Sequence, residues 1–313
     1  MKVSVIIVNH NTGNVLADCI RSLAVFENVV KYEVIIVDNF SSGDSRAQVN
    51  MLLKENSNIS AIYTESLIGF SAANNLGIKA SNGEYVLIMN PDIIFTEPVF
   101  DRLIDYMQSN TTCGAICPAL VGTDGNFQRN YFQRFPTIRQ FIYYNSAIAG
   151  LFNKSAGRMN RFLENQNIDI STGKVYFTEQ IPCAFFFTRR SVLSEVGLMD
   201  ESYRLFFEDV DLSWKIGKRH KLAVDTGIKI THLGGSSFKT ENNWWLYGRY
   251  IVSMINFFRL HYSKSRYMAL KSLAYTNSLA VLFFEYLKAP FGKKDSYRVS
   301  KHKYLLSLMG EKN

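Results

Sequence analysis

Residues 3–11 read VSVIIVNHN, an apolar run of buried-strand type that ends in three polar side chains. The same order of an apolar run and then polar residues recurs at Val34–Asn39 and at Tyr85–Asp92. Between these runs lie Val15–Val25, with apolar residues at helical spacing, and the Ala-rich segment Ser71–Ala80. Strands that alternate with helices predict an α/β fold, with a mostly parallel sheet covered by helices on both faces.

The composition is typical of a globular chain with a large core. The chain has 313 residues, of which 47% are hydrophobic and 20% charged, and this balance excludes a disordered protein. The length allows one large domain, or one domain with an appendage. The cysteines have the spacing of neither a zinc site nor a disulfide framework, so we expect buried, reduced thiols at Cys19, Cys113, Cys117 and Cys183.

The N-terminal residues do not resemble an export signal. The apolar run Val3–Val8 is too short for the hydrophobic region of a signal peptide, and it leads into polar residues rather than a cleavage site. No window of about 18 residues is both continuously apolar and free of charge. We therefore expect a cytoplasmic protein without spanning helices, which leaves peripheral contact with the inner face of the cell membrane open.

The excess positive charge lies in the last quarter of the chain. Residues 239–313 contain 13 basic and 4 acidic side chains, whereas residues 1–238 contain 22 and 23. Apolar spacing in the basic region predicts a helix over Trp244–His261 and a second over about Tyr267–Leu287. On the second helix we expect an apolar face made of Leu270, Leu273, Ala274, Val281 and Phe284.

Two interpretations of this basic helical region stay open. In the first, both helices pack on the rest of the chain or on a second copy, as in a homodimer. In the second, aromatic and apolar side chains enter the headgroup region of an anionic membrane, while Lys and Arg attract the lipid. Nucleic acid is disfavoured as a partner because no binding motif accompanies the charge.

Polar clusters follow three of the predicted strands. Asn9-His10-Asn11 follows the first, Asp38-Asn39 the second and Asn90-Pro91-Asp92 the fourth. Each cluster alone is typical of a turn. Because ligands of open α/β sheets bind beyond the carboxyl ends of the strands, three clusters at one edge predict a ligand site. A single glycine, Gly13, follows the first strand, which disfavours a dinucleotide-binding dehydrogenase, and the lack of G-x4-G-K-[ST] excludes a P-loop NTPase.

An acidic cluster, Glu208-Asp209-Val210-Asp211, opens a predicted helix. Acids at the start of a helix are favoured by its dipole, but three carboxylates in four residues exceed what one cap needs. Glu208 and Asp209 are both candidates for a general base, and their crowding is expected to raise at least one pKa. Asp92 and His232, which follow candidate strands, are candidate ligands of a divalent cation that would stabilise a diphosphate leaving group.

Five motifs, taken in order, resemble those of family 2 glycosyltransferases, and most closely the bacterial rhamnosyltransferase-like branch. The resemblance extends over about residues 3–238 and rests on residues 3–11, 34–42, 69–77, 90–92 and 207–212. It implies a GT-A fold, which is Rossmann-like, and an inverting, single-displacement transfer from a nucleoside diphosphate sugar. It also implies a catalytic domain over 1–238, with a donor half over about 1–120 and an acceptor half over about 121–238, followed by a C-terminal helical appendage over 239–313.

The resemblance also assigns roles to individual residues. Asp209 matches the catalytic base, with Glu208 beside it, and Asp92 and His232 match the ligands of a Mg²⁺ or Mn²⁺ cofactor. Asn90 replaces the first acid of the family's metal-binding D-x-D, so we expect weak metal binding without the donor. The residues that match the family's donor-nucleotide site are Asn9, Asn11, Asp38, Asn39, Gly69, Asn74 and Asn90.

Further expectations concern the substrates. The expected donor is a thymidine diphosphate deoxysugar such as rhamnose, and the expected acceptor is a glycan or a lipid-linked diphosphate in surface polysaccharide synthesis. Ala184 stands where many members have Gly, so the geometry on the acceptor side is expected to differ. The sequence lacks the Q-x-x-R-W motif of processive members, which predicts the transfer of one sugar or a few rather than polymer synthesis.

Two alternative functions remain open at this point. A sugar nucleotidyltransferase also uses a nucleotide, a metal and an α/β sheet, but it usually needs a basic, Gly-rich phosphate loop, and Asn9–Asn14 contains no Lys or Arg. An inactive carbohydrate-binding scaffold would keep the fold without catalysis, and the intact acidic cluster around Asp209 argues against it.

Overall fold

A computed structural model describes residues 2–147, 168–234 and 243–310. Strands and helices alternate through the first part of the chain, and helices make up the last part. In chain order the elements are β1 (Val3–Asn9), α1 (Gly13–Phe26), β2 (Tyr32–Asp38), α2 (Gly43–Glu55), β3 (Ile59–Tyr63), α3 (Phe70–Ala80), β4 (Tyr85–Met89), β5 (Ile93–Ile94), α4 (Phe100–Ser109), β6 (Cys113–Val121), α5 (Ile138–Asn145), β7 (Val175–Thr178), β8 (Phe185–Arg189), α6 (Arg190–Val196), α7 (Glu208–Gly217), β9 (Lys221–His232), α8 (Trp244–His261), α9 (Lys264–Lys288) and α10 (Ser296–Gly310).

The chain divides into two compact units. Of the described residues, the first unit takes 2–135, 168–204 and 208–234, and the second takes 136–147, 205–207 and 243–310. The sheet lies in the first unit, whereas α5 and the three last helices lie in the second. The predicted domain boundary at 238 falls outside the described residues and stays a prediction.

The first unit is built on one mixed sheet with the strand order β3-β2-β1-β4-β8-β6-β9-β5, to which β7 adds by pairing with β9. Strands β1 to β4 are parallel, β8 is antiparallel to its neighbours β4 and β6, and β6 is parallel to β9. The two short strands β5 and β7 both run antiparallel to β9. This arrangement confirms the predicted α/β class with a mostly parallel sheet.

The register brings the ends of the strands to one edge of the sheet. Asn9 at the end of β1 pairs with Asp38 at the end of β2, and Ile7 pairs with Met89, the last residue of β4. At the other side of the sheet, Ile93 of β5 pairs with His232 at the end of β9. Asp92 directly precedes β5, so it also comes to the end of β9. The sheet therefore carries both predicted groups, the polar clusters and the pair Asp92 and His232.

The core of this unit is formed by strands that are apolar on both faces. All seven residues of β1 and the three phenylalanines at the start of β8 are buried, and the Tyr85 ring stacks on Phe187 with centroids 5.3 Å apart. Gly77 lets α3 approach the sheet, because a Cβ there would lie 2.4 Å from Cγ2 of Ile6. The four cysteines are buried and reduced, as the sequence predicts.

Two strands differ from the sequence-based expectation. The apolar run Ile181–Thr188 predicts one strand, but β8 begins only at Phe185, because Pro182 cannot donate to a ladder. The sequence also predicts a strand over Ile228–Thr231, and this segment is the end of the twelve-residue β9. The middle of β9 contains the buried Asp225 and Thr226 and the flexible Gly227, which break the apolar run by which a strand is recognised in a sequence.

The second unit contains both predicted C-terminal helices. The bounds of α8 are those predicted, and α9 begins three residues earlier and ends one residue later than expected. Of the expected apolar face of α9, Leu270, Ala274 and Val281 are buried and Leu273 is half-buried, whereas Phe284, near the end of the helix, is 56% exposed. The buried face turns instead toward Glu285, whose carboxylate is paired with Lys288 and Arg298. Of the helices in the described part of the chain, none is long and apolar enough to cross a membrane.

Candidate active site

A hydrogen-bonded network joins the ends of β1 and β2. Nδ2 of the fully buried Asn9 lies 2.9 Å from Oδ2 of Asp38 and 3.1 Å from Oγ of both Ser41 and Ser45. Thr12 donates its hydroxyl to Oδ1 of Asn9 at 2.8 Å. The amide of Asn9 is thus engaged within the protein, where it fixes the Asp38 carboxylate and the loop that follows β2.

The loops beside this network are fixed by side chains that cap backbone groups. Oδ1 of Asp38 accepts from the Ser41 N–H at 3.0 Å, and Oδ1 of Asn11 accepts from the Ser42 N–H at 3.0 Å. The side-chain amide of Asn39 pairs with the backbone of Ile68, at 2.9 Å to its carbonyl and 3.0 Å from its N–H. The structure therefore brings Asn9, Asn11, Asp38 and Asn39 together, as the sequence predicts.

Phe40 is an unexpected residue in this turn. Its φ is 60°, in the left-handed region that aromatic residues rarely adopt, and its side chain is 53% exposed. Asn11 has a similar φ of 57°, which an Asn side chain tolerates. Sequence reasoning missed Phe40, because a phenylalanine between Asn39 and Ser41 carries no signal of either a turn or a site.

Gly69 and Asn74 lie at the start of α3. Gly69 is the residue before the helix, and a Cβ there would lie 3.4 Å from Cα of Arg204. Asn74 is fully buried and donates from Nδ2 to the Phe70 carbonyl at 3.0 Å, but its Oδ1 has no hydrogen-bond partner among the described residues. A buried acceptor without a partner is uncommon in proteins, and it suits a ligand that brings a donor.

Asp92 and His232 meet where β5 pairs with β9. Oδ1 of Asp92 lies 3.3 Å from Nε2 of His232, and both side chains are buried. Gln128 donates from Nε2 to the His232 carbonyl at 2.9 Å, so its Oε1 faces Nδ1 of the ring at 2.8 Å and accepts from it. Gln128 thus holds the ring through Nδ1, and Nε2 is the ring atom that faces Asp92.

Two side chains are fewer than a metal site needs. No group of three or more His, Cys, Asp or Glu side chains that could hold a metal ion occurs within residues 2–147, 168–234 and 243–310. Asn90, at the position of the missing acid, follows β4 and donates its backbone N–H to the Ala184 carbonyl at 3.1 Å. The carboxylate and the imidazole can serve as two ligands, and any further ligands must come from elsewhere.

The acidic pair lies at the start of α7. Glu208 is buried, and its Oε2 has no hydrogen-bond partner in the described part of the chain, whereas Oδ1 of the half-buried Asp209 accepts from the Val210 N–H at 2.8 Å. Burial, with a contribution from the Asp209 charge, raises the pKa of Glu208 to about 8. Burial also raises the pKa of Asp209, and backbone N–H groups, including that of Cys183, oppose the rise.

The third carboxylate of the cluster has a different environment. Asp211 is buried, its Oδ2 lies 3.2 Å from Nζ of Lys215, and the Tyr203 hydroxyl donates to its Oδ1 at 3.4 Å. Its position and partners indicate that it stabilises α7. The backbone before the helix is unusual, with φ of 66° at Phe206 and 71° at Phe207, a conformation that favours glycine.

Tyr131 lies beside His232, and its pKa depends on carboxylates of both groups, Asp92 and Asp209. Its ring lies edge-on to the His232 ring, with centroids 5.0 Å apart. Burial raises the pKa of Tyr131, and the charges of Asp92 and of Asp209 raise it further, so both carboxylates act electrostatically on this phenol. Sequence reasoning missed Tyr131 and Gln128, because both lie in the irregular segment after β6, where no periodicity marks a position.

Solved structures with a similar fold define the class of the chain. A mannosyltransferase from Pyrobaculum calidifontis, solved with GDP-Man and Mn²⁺, superposes with a TM-score of 0.56 at 14% identity, over 98% of this chain and 85% of the other. A structure of GalNAc-T7 with UDP, GalNAc and Mn²⁺ gives a TM-score of 0.59 at 15% identity, over 97% and 55%. The fold is that of the GT-A glycosyltransferases, as the resemblance implies.

The family model described as glycosyl transferase family 2 matches residues 4–196. The match covers more than half of the sequence, and the chain belongs to that family. The polar strand ends, Gly69, Asn74 and Asp92 lie within the matched residues, whereas the acidic pair and His232 follow them.

Two curated relatives are similar over half of the chain or more. The chain is 26% identical over 164 residues to glycosyltransferase GlyG from Streptococcus pneumoniae, which covers 50% of each protein. It is also 26% identical over 203 residues to the N-acetylglucosaminyl-diphospho-decaprenol L-rhamnosyltransferase of Mycobacterium tuberculosis, over 61% of this chain and 62% of the relative. The matches therefore span between half and two thirds of the length of these relatives.

Proposed function

We propose that this protein is an inverting glycosyltransferase that moves one sugar from a nucleoside diphosphate sugar to a hydroxyl of a glycan or of a lipid-linked diphosphate. The grouping around Tyr131 carries the proposal. Its ring contacts His232, which is paired with Asp92, and its pKa responds to the charge of Asp209. Groups suited to a diphosphate leaving group and a group suited to proton abstraction thus act on one side chain, which supports a single reaction centre.

Asp209 is the proposed general base. Its raised pKa makes it a stronger base at neutral pH than an ordinary carboxylate, and the Val210 and Cys183 N–H groups hold it in place. It takes the proton of the acceptor hydroxyl while that oxygen attacks the anomeric carbon. The bond from this carbon to the diphosphate oxygen breaks, and its electron pair leaves with the diphosphate, which inverts the configuration.

Glu208 supports the base by remaining uncharged. With a pKa raised to about 8, the Glu208 carboxyl keeps its proton at neutral pH, so it places no second negative charge beside Asp209. Two charged carboxylates side by side would repel each other in this buried environment.

The residues Asp92 and His232 fit a divalent cation. A carboxylate is an ordinary ligand of Mg²⁺ or Mn²⁺, and the His232 ring, which Gln128 holds through Nδ1, can add a nitrogen ligand that Mn²⁺ accepts more readily than Mg²⁺. Such an ion, when bound, neutralises charge on the leaving diphosphate. Because Asn90 replaces one acid, we expect oxygen atoms of the donor to complete the ligand set, so that cation and donor bind together.

The donor is proposed to be a thymidine diphosphate deoxysugar such as rhamnose. The M. tuberculosis relative, whose name specifies L-rhamnosyl transfer to a decaprenol-linked diphosphate, supports this choice. Asp38, at the carboxyl edge of the sheet, is proposed to contact the nucleobase of the sugar nucleotide. Oδ1 of Asn74, which has no hydrogen-bond partner among the described residues, suits a hydroxyl group of the sugar nucleotide. An acceptor of the lipid-linked kind would be met at the inner face of the cell membrane, as part of surface polysaccharide synthesis.

The test is a donor panel assayed with purified protein. TDP-rhamnose, UDP-GlcNAc and GDP-mannose are each incubated with Mg²⁺ or Mn²⁺ and a lipid-linked N-acetylglucosaminyl diphosphate, and the product is identified by mass spectrometry. We expect one added sugar, inverted linkage, and no product with EDTA. Pyrophosphate release from a sugar phosphate and a nucleoside triphosphate would contradict the proposal, as would donor binding without transfer or hydrolysis of any donor.

The cation site is tested through the residue that orients His232. Gln128→Leu removes the acceptor for Nδ1–H, and loss of such a partner typically weakens metal binding by about 10- to 100-fold. Gln133→Leu, in the same segment, removes only a bond to the Asn130 carbonyl and is the matched control. Titration of Mn²⁺ in the presence of the nucleoside diphosphate measures the affinity of both variants, and equal affinities would show that Gln128 does not orient a metal ligand. His232→Ala tests the ligand itself, and an Mn²⁺ affinity equal to that of the unchanged chain would exclude His232.

A further inference from the structure

Helix α9 is apolar on two opposite faces. The inner face contains the buried Leu270, Ala274 and Val281. A second set of large apolar side chains, spaced seven, four, four and three residues apart, lies on the opposite, exposed face: Met268, Tyr275, Leu279, Phe283 and Tyr286. A helix that is packed on one side normally presents polar residues on the other, so this second face requires an explanation.

The exposed apolar surface is concentrated at the C-terminal end of α9. Phe283 is 61% exposed and its neighbours Phe284 and Leu287 are also exposed. Phe291, in the short 3-10 turn Ala289–Phe291 that follows the helix, is 77% exposed. We call these four residues the aromatic tip. Single exposed apolar residues are common on proteins, but a contiguous group of this kind marks a binding surface.

Cationic side chains lie at the same end of α9 as the aromatic tip, beside Tyr286 of the exposed face. Lys293 and Lys294 follow the tip, and Nζ of Lys294 lies 4.5 Å from the centre of the Tyr286 ring. Nζ of Lys303 lies 5.7 Å from the same ring. Of the two acids in this region, Glu285 is buried and paired with Lys288 and Arg298, whereas Asp295, directly after Lys294, is exposed. The lysines outnumber this one exposed acid, so the surface keeps an excess of positive charge.

We infer that the aromatic tip and its lysines dock on an anionic lipid surface. Aromatic rings enter the boundary between headgroups and acyl chains, while lysines nearby contact negative headgroups, which is the composition of an interfacial anchor. A second copy of the chain is the less favourable occupant, because a symmetric contact at this surface would bring Lys293 and Lys294 of both copies together. The inference does not depend on the transfer reaction proposed above.

The experiment is sedimentation of the full chain with vesicles of phosphatidylglycerol and phosphatidylcholine in equal parts, compared with phosphatidylcholine alone. We expect binding to the anionic vesicles only, and weaker binding at high salt, because salt screens the attraction. Lys293→Glu with Lys294→Glu should weaken binding by at least about 10-fold, since each cation near such a surface contributes about fivefold. Phe283→Ser with Phe291→Ser should weaken it to a similar extent at every salt concentration.

A matched control is available in the first unit. Phe177 is 53% exposed and has Nζ of Lys221 4.6 Å from its ring centre, so Phe177→Ser with Lys221→Glu makes the same chemical change elsewhere. This variant should bind vesicles like the unchanged chain. Failure of the full chain to sediment with anionic vesicles would overturn the inference, as would equal loss in the control. A dimer in solution that the Phe283→Ser, Phe291→Ser variant abolishes would assign the surface to a second copy.

Discussion

The two groups of polar residues in the first unit differ in how far their atoms are paired within the protein. At the ends of β1 and β2, Asn9 and Asp38 are bonded to each other and to neighbouring hydroxyl and N–H groups. At the start of α7, Oε2 of Glu208 is buried without a partner in the described residues, and both carboxyls of the acidic pair have raised pKa values. The first group is organised for rigidity, and the second retains groups that can exchange protons.

This difference has an energetic meaning. A buried, fully paired network fixes a single loop conformation, and removal of one member leaves its partners unsatisfied. A buried carboxyl without partners destabilises the folded state once it is charged, and a protein tolerates that state where the charge serves a reaction. Substitutions at the strand ends should therefore lower stability, whereas substitutions in the acidic pair should lower activity and leave stability unchanged or improved.

The largest effect is expected for Asp209→Asn. The amide keeps the shape of the side chain but cannot take a proton, so we expect kcat to fall by about a thousandfold, within the usual range for loss of a general base. The donor affinity, measured by calorimetry, should change less than threefold. Asp101→Asn, an exposed acid in the first turn of α4, is the control and should keep full activity. A variant of Asp209 that retains turnover would remove this residue from the mechanism.

Glu208→Gln should alter the dependence of stability on pH. Folded Glu208 holds its proton up to about pH 8, whereas the unfolded chain releases it near the ordinary value of 4.5, so the folded state binds more protons between these limits. Stability contributed by the neutral carboxyl is complete below the unfolded pKa and is lost as the pH rises through about 8. The glutamine cannot ionise and should remove this decline, which amounts to on the order of 2–4 kcal/mol.

Denaturant unfolding at pH 5, 6.5 and 8 measures this effect. We expect the unchanged chain and Glu208→Gln to be similar near pH 5, and the variant to be the more stable at pH 8. Glu55→Gln, at an exposed position at the end of α2, provides the control and should show the pH dependence of the unchanged chain. If the unchanged chain shows no loss of stability between pH 5 and 8, Glu208 is ionised in the folded state.

The comparison also shows which parts of the fold can be read from sequence. Strands β1 and β4 are buried along their whole length, so they appear as continuous apolar runs, and the sequence predicts β4 with its observed bounds. The first half of β9 contains Asp225, which is buried only because Arg102 pairs with it from 123 residues away, at 2.7 Å. No local pattern can indicate such a partner, and the strand was therefore predicted only in part.

In the candidate site, too, the residues that a local sequence pattern marks could be predicted, and those with distant partners could not. Asn9, Asp38 and Asp92 lie next to strand ends, so the alternation of strands and helices is enough to bring them to the sheet edge. Gln128 and Tyr131 reach His232 across about a hundred residues, and they come from a segment without regular structure apart from one short 3-10 turn. The residues that carry charge could be predicted, but the residues that orient them could not.

Asp38→Ala tests the hydrogen-bonded network at the ends of β1 and β2. The substitution leaves Nδ2 of Asn9 and the Ser41 N–H without their carboxylate acceptor in a buried place, which typically costs about 2–3 kcal/mol. We expect the midpoint of thermal unfolding to fall and donor binding to weaken. Asp44→Ala, at an exposed acid in the first turn of α2, should lower stability by less than about 1 kcal/mol. Equal stability of the two variants would show that the network at the strand ends does not hold the loop.

The smallest effect is expected at Phe40, two residues after Asp38, where a substitution should raise the free energy of unfolding rather than lower it. Phe40 has a φ of 60°, and its largely exposed ring provides little burial in return for that strain, whereas Asn tolerates this region of backbone conformation. Phe40→Asn should therefore raise the free energy of unfolding by up to about 1 kcal/mol, or about 2 °C in the midpoint. Because Asp38 and Asn39 are retained, nucleotide affinity in the same sample should not change. A loss of affinity with a gain in stability would instead show that the strained phenylalanine is kept as a contact for the donor.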